Sequence, residues 1–409
     1  MIHGRTIICI ANRWDYDPTS KHHVMRTLSA TNQIVWVNYR GSRKPTASRR
    51  DLGAILATVG QAIRGPRRID DAMVQVTPLL VPGSSRRLVQ NLNRRMVVAQ
   101  IRRALARLPK RPVQLWTFAP NVDFLAGRFD EEALIYYCVD DFGAFEDHDG
   151  QAIRSAESRL IQKADAVITT SQELFDSHKD CHRNTHLVRH GVDWSHFAAA
   201  ADRQLDPPAD IGHLPGPVLG FFGLLHHWFD VELLARVARS RPQYTFVLIG
   251  DCHADATALH SLPNVHPLGR RSYDSLPAYC AAFDAALLPF RINDMTRNIN
   301  PIKLREYLAA GLPVVSTPLP EAVHYAPDVL TADTAQGFSA ACDRAVSQST
   351  LTQRLQRSAR VADESWQNVV ERLSLIAEDA VGRRRRKRAQ PTLPSRADIA
   401  ATGASPNPA

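Results

Sequence analysis

The sequence predicts an α/β protein built from two Rossmann-like domains. Short continuous apolar runs alternate with helical patterns twice along the chain, and a proline-rich seam interrupts the alternation near the middle. Unbroken apolar runs are what strands buried on both faces look like, since a parallel sheet is covered by its crossover helices. With 409 residues and 44% apolar side chains, the chain has material for two cores of ordinary size. Ligands of such sheets sit beyond the carboxyl ends of the strands.

In order, residues 6–11 read as the first strand, followed by a polar loop (12–20) and a helix around 22–28. Strands follow at 34–39 and 73–77, with a helix near 52–63 between them, and a long amphipathic helix spans 84–108. Further strands are expected at 113–118, 133–138 and 166–170, with a helix at 151–163. The seam lies at 197–217, where Asp206-Pro207-Pro208 and Leu214-Pro215-Gly216-Pro217 break regular structure. After it the pattern restarts: strands at 218–222 and 244–249, and helices at 229–239 and 275–282. Near the end, Trp366, Val369, Val370, Leu373 and Ile376 form one apolar stripe able to dock across the domains. The expected organisation is residues 1–200, 201–365, a returning helix at 366–382, and a basic, disordered tail at 383–409.

The formal charge of +9 is concentrated in two places. One is RRRRKR at 383–388, ahead of a segment rich in Pro, Ala and Ser; the other is a series of arginines from Arg40 through Arg103. Arginines on a helix are ordinarily a solvated face, but they also suit anionic lipid head groups. No zinc-finger or RRM signature is present, which weighs against nucleic acid as a partner. The six cysteines are scattered singly with no CxxC pair, so buried free thiols are expected in place of a disulfide framework or zinc site. No apolar run approaches the roughly 20 residues of a membrane span, and residues 7–11 are too short for a signal peptide, so a cytoplasmic location is expected, with the basic regions available to the inner membrane face.

The most informative stretch is residues 284–317, which reads as strand, polar loop, helix (302–310) and strand. Asn300-Pro301 marks the helix start and Gly311 its left-handed end. Lys303 and Glu306 lie near that start, where free backbone amides favour phosphate.

These residues carry a resemblance. NPIKLREYLAAGLPVVST, with FFG at 221–223, FVLIGD at 246–251, NVHPLGRRSYDSLPAYCAAFDAALLPF at 264–290 and RHGVD at 189–193, is similar to the GT-B glycosyltransferases of the retaining GT4 type over residues 5–380. The resemblance implies two Rossmann-like domains facing each other across a cleft, a nucleotide diphosphate sugar as donor, and a sugar, lipid-linked or polysaccharide acceptor, with no cofactor and no metal. It also implies that Glu306, five residues before Gly311, accepts hydrogen bonds from both ribose hydroxyls; an exposed helix glutamate is the plain alternative. Lys303 is expected to neutralise diphosphate, and Asn300, Pro301 and Ile302 to offer backbone to phosphate or sugar, with Gly223 and Gly250 at the donor-side turns. Where the family often has a second Glu, this chain has Asn298, beside Arg297 as a diphosphate contact. His226 and His227 stand where other members carry basic residues. In the first domain, the usual glycine pair is absent after the first strand; Arg13 is the anion contact there, and Trp14 either stacks on a sugar or plugs the core. Asp140 and Asp141 end a strand at the cleft edge, where they either draw a proton from the acceptor hydroxyl or cap the following turn. A sugar-nucleotide epimerase and a non-catalytic nucleotide-sugar-binding scaffold are the rival classes.

Overall fold

A computed structural model describes residues 1–15, 17–39, 65–78, 80, 87–145 and 149–389. Two parallel sheets account for the alternation seen in the sequence. The first contains β1 (Thr6–Ala11), β2 (Gln33–Asn38), β3 (Arg67–Arg68), β4 (Met73–Val76), β5 (Val113–Thr117), β6 (Ala133–Cys138), β7 (Ala166–Thr169) and β8 (Thr185–Leu187), in the order β3-β4-β2-β1-β5-β6-β7-β8. All its pairs are parallel except β3 with β4. The second contains β9 (Val218–Phe222), β10 (Thr245–Ile249), β11 (Val265–Gly269), β12 (Ala285–Leu288), β13 (Val314–Ser316) and β14 (Val329–Thr331), all parallel, in the order β11-β10-β9-β12-β13-β14.

The two-residue period of a strand sends alternate side chains of β1 into different cores. Ile7 and Cys9 join the cluster under helix Ser20–Ser29, whereas Ile8 and Ile10 join the one under helix Arg87–Leu105. The former cluster is completed from the far end of the chain: Trp366, Val369, Val370, Leu373, Ala377, Ala380 and Val381 of helix Trp366–Ala389 pack into the first domain. His23 stacks on Trp366 with ring centroids 5.0 Å apart.

This helix corrects the expected tail. Residues 383–388 are its last turns, and three of their charges are engaged: Arg383 with Asp379 (2.5 Å), Arg384 with Asp165 (2.6 Å) and Glu131 (3.4 Å), and Arg385 with Glu132 (3.2 Å). Residues 390–409 lie outside the described residues, as does the helix expected near 52–63. The loop expected before Asn300 contains a short helix, Asp294–Asn298, started by a capping box between Asn293 and Thr296. Strands β8, β11 and β14 and helices Ala335–Ser347 and Leu351–Arg360 had no counterpart in the sequence reading.

The chain crosses between the domains twice, and the crossings touch: Val192 donates to Glu364 O (2.9 Å), and Trp366 donates to Val192 O (3.1 Å). A Cβ on Gly191 would stand 3.0 Å from Trp366 Cα, so the close approach depends on glycine. Beside the crossings lies a buried polar clamp around Glu321, which is 0% exposed. Its carboxylate accepts from Arg189 (2.7 Å) and from the Gln172 amide (2.9 Å), both in the first domain. Asn300 donates to Thr170 O (2.5 Å) and accepts from Arg305 (2.5 Å), whose guanidinium also pairs with Glu364 (2.7 Å). Breaking a buried pair leaves an uncompensated charge, which costs about 3–5 kcal/mol. Glu321→Ala is therefore expected to lower the free energy of unfolding by up to that range, read as a lower urea midpoint, and a midpoint equal to wild type would show that the clamp is inert.

Candidate active site

A cavity of about 530 Å³ opens between the two domains, beyond the carboxyl ends of β6, β9, β10 and β12. Its second-domain wall is built on two turns and a helix. Gly223 follows β9 with φ +131, and Gly250 follows β10 with φ +136. The turns interlock: Gly223 donates to Ile249 O (2.8 Å), and a Cβ on Gly250 would lie 2.0 Å from Gly223 O. A Cβ on Gly223 would meet Lys303 Cε at 2.7 Å. Both positions thus require glycine for conformation, and Gly250 also for space, because the atoms it would meet are backbone.

The helix is Ile302–Ala309, with Pro301 as its N-cap residue and Gly311 beyond its end at φ +75. Tyr307 holds it to β9 by a hydroxyl that accepts from Phe222 N (2.9 Å). Lys303 passes over Phe221 and Phe290, its Nζ 5.8 and 5.6 Å from the ring centroids. Glu306 is 6% exposed, and burial pushes its carboxyl up from the usual range while the Lys303 charge pulls it back. Burial lowers Lys303, opposed by Glu306. The buried Tyr273 hydroxyl lies near Glu306 and has no hydrogen-bond partner among the described residues.

The first-domain wall carries Ser20, Lys21, Asp140 and His190. Burial pushes Asp140 up to about 6, with Lys21 opposing and Asp141 reinforcing. Burial, then the charges of Arg305 and Lys21, bring His190 down to about 3, so its imidazole is neutral. Arg270 of the second domain pairs with Asp17 of the first at the cavity rim.

Of the residues singled out in the sequence, Glu306, Lys303, Asn300, Pro301, Ile302, Gly223, Gly250 and Asp140 line the cavity. Asn300 does so with its amide committed to the interdomain clamp. The other four lie off the lining. Arg13 is 3.8 Å from Asp15, and Arg297 is exposed. Asn298 donates to Asp294 O (2.8 Å), while Asp141 accepts from Gly143 N (3.0 Å), the turn-capping use of aspartate. Trp14 packs edge-on against Trp36 at 4.9 Å, as a core plug. His226 stacks on Trp228, and neither His226 nor His227 lines the cavity. The expectation that the thiols are buried holds for Cys9, Cys138, Cys280 and Cys342, but Cys181 and Cys252 are exposed. Cys138, Glu157 and His178 stand together with metal-like spacing, away from the cavity, and Tyr136 donates to the same Glu157 carboxylate.

Lys21, His190, Tyr273 and Arg270 were missed as site residues. A helix start placed at His22 left Lys21 in a loop, whereas the helix begins at Ser20. His190 stood in the quoted RHGVD motif, but nothing local distinguishes a cavity histidine from a core one.

Residues 216–348, the span of the second sheet, match the family model described as Glycosyl transferases group 1. The second domain is thus similar to group 1 glycosyltransferase domains, and the two facing Rossmann-like sheets have the GT-B arrangement. Among individual proteins, the chain is 29% identical over 260 residues to the "Putative teichuronic acid biosynthesis glycosyltransferase TuaH" of Bacillus subtilis (strain 168), covering 57% of this chain and 64% of that relative's length. In fold it is similar to sucrose-phosphate synthase from Thermosynechococcus elongatus (TM-score 0.66, 13% identity, 93% of this chain and 100% of that one). It is also similar to α,α-trehalose 6-phosphate synthase from Burkholderia multivorans (TM-score 0.65, 13% identity, 94% and 100%).

The raised Asp140 carboxyl has a measurable sign. Between its ordinary value of 3.8 and about 6, the folded chain holds a proton that the unfolded chain has lost, so this group's contribution to stability falls as pH rises through that window. Asp140→Asn should then be more stable than wild type at pH 8, by about 3 kcal/mol, and equal to it at pH 3.5. A difference that does not change with pH in urea titrations would contradict this.

Proposed function

We propose that the protein is a glycosyltransferase that moves a sugar from a nucleotide diphosphate sugar to an acceptor hydroxyl, in the synthesis of a cell-surface polysaccharide or glycolipid. The observation that carries this reading is the pairing of Glu306 and Lys303 on one buried helix start, under the two glycine turns and open to an interdomain cavity. A carboxylate there accepts from both ribose hydroxyls, and the ammonium with the first-turn amides of helix Ile302–Ala309 receives the diphosphate. In the transfer, the bond from the anomeric carbon to the diphosphate oxygen breaks with its electron pair going to that oxygen, a bond to the acceptor oxygen forms, and the acceptor proton passes to the departing diphosphate. Charge accumulates on the departing diphosphate, where fixed cations and helix dipoles stabilise it. Lys303 supplies that charge without a metal. Retention at the anomeric carbon and the GT4 assignment follow from the sequence resemblance. The relative named for teichuronic acid biosynthesis supports a surface-polymer acceptor.

We further read the protein as cytoplasmic and peripheral to the membrane. Among the described residues no helix is long and apolar enough to cross a membrane. Helix Arg87–Leu105 exposes Leu88 and Leu92 among arginines and has no acidic residue, a composition that suits an anionic bilayer surface.

The test is calorimetry with UDP, GDP and dTDP, followed by turnover of the corresponding sugars with and without lipid-linked acceptors. One nucleotide is expected to bind, and Glu306→Ala to weaken it about tenfold to a hundredfold, the worth of charge-assisted hydrogen bonds. Sugar conversion without acceptor would favour an epimerase, and an unchanged affinity for Glu306→Ala would remove the donor site from this helix.

A further inference from the structure

The first-domain wall of the cavity carries polar groups that the donor reading leaves unused. Helix Ser20–Ser29 starts in this wall, with Thr19 as its N-cap residue, and Thr19, Ser20 and Lys21 all line the cavity. The Thr19 carbonyl accepts from His22 N (2.8 Å) and His23 N (3.2 Å). Among the described residues, the amides of Ser20 and Lys21 have no acceptor and the Lys21 ammonium has no ion-pair partner within 4 Å. Ser20 is 4% exposed, yet its hydroxyl makes no hydrogen bond there either. His190, which faces the same space, is 5% exposed, and neither of its ring nitrogens has a partner among those residues. Buried polar groups are expected to be satisfied, and the buried, unpartnered His190 Nδ1 beside the two free first-turn amides points to a ligand in this space.

The chemistry of that ligand follows from the charges. A helix start offers aligned amides and a positive dipole end, to which Lys21 adds a full positive charge. Burial lowers Lys21 from the ordinary lysine range, and Asp140 opposes this. An anion placed beside Lys21 would oppose that shift. Asp140 stands close enough to influence Lys21 but forms no ion pair with it within 4 Å, so the carboxylate is free to accept from a hydroxyl.

We propose that Ser20, Lys21 and the first-turn amides of helix Ser20–Ser29 form an anion subsite that binds a phosphate or carboxylate of the acceptor, while Asp140 faces the acceptor's hydroxyl. The inference rests on the reading of helix Ile302–Ala309 as the donor site, because the diphosphate then occupies the opposite wall and leaves this one to the acceptor. The substrate class is an anionic sugar acceptor, either phosphorylated or a uronic acid. His190, neutral in this pocket, has one ring N–H to give to the same anion and one lone pair for a hydroxyl.

The experiment titrates inorganic phosphate and, separately, acetate into the full chain by calorimetry, first alone and then with a saturating nucleoside diphosphate. At least one of the two anions should still bind with the nucleotide in place. Lys21→Met should weaken that binding about tenfold or more, Lys21→Arg should keep it within about threefold, and nucleotide affinity should stay within about threefold in both. Asp140→Asn, which removes a nearby negative charge, should tighten the anion and supplies the test if Lys21→Met does not fold. Neither anion binding beside the nucleotide, or binding indifferent to both variants, would overturn the subsite. Nucleotide affinity falling as far as anion affinity in Lys21→Met would reassign the subsite to the donor diphosphate. If no nucleotide binds wild type while the anion still responds to Lys21, the donor reading fails and the subsite stands.

Discussion

The geometry of the cavity depends on the buried carboxylate of Glu321. It sits in the second domain, in the segment after β13, and takes its hydrogen bonds from Arg189 and Gln172 in the first. A buried charge of this kind tolerates little displacement, because every donor it loses leaves it exposed to a low-dielectric interior. Asn300 extends the clamp from the residue just before Pro301, by bonding Thr170 O and Arg305. The start of helix Ile302–Ala309 is thus fixed to the other domain one residue before the helix cap. Alignment of the two walls and the position of Glu306 are consequences of the same network.

Each wall then presents the same combination: one lysine and one carboxylate, both desolvated, at the beginning of a helix or the end of a strand. Lys303 and Glu306 occupy the second-domain wall, Lys21 and Asp140 the first. Burial shifts all four toward their neutral forms, and within each pair the partner opposes the shift. Such a cavity is poorly satisfied when empty. It gains from a ligand that brings anions to the lysines and hydroxyls to the carboxylates, and a charged sugar substrate has both.

The fold was legible because its strands are buried on both faces and so read as unbroken apolar runs; β6 and β9 were placed to the residue. Of the strands that escaped, β8 and β14 are three residues long, too short to show a period, and the five-residue β11 (VHPLG) is half exposed and interrupted by a proline, so it shows no apolar run. The donor-side helix announced itself through Pro301 and Gly311, residues with backbone requirements that sequence displays directly. Lys21 and His190 carry no such mark, since their role comes from tertiary placement beside a cavity. The basic run at 383–388 misled for a related reason. Its composition matches a solvated tail, but three acidic partners, Glu131, Glu132 and Asp165, wait for it on a surface more than 200 residues earlier in the chain.

Asn298 shows how position changes the meaning of a substitution. From sequence it looked like the place where an acidic sugar contact had been lost. In the fold it ends the short helix Asp294–Asn298, and its carbonyl accepts from Ser171 Oγ (2.7 Å) in the first domain. The segment meets the cavity through Met295 and Ile299 instead, which are apolar. A carboxylate at 298 would have to compete with backbone that already serves the domain contact, and an asparagine donating to Asp294 O keeps the helix closed at no charge. This stretch therefore joins the domains and gives the cavity an apolar surface, while the polar side chains of the cavity come from its other lining segments.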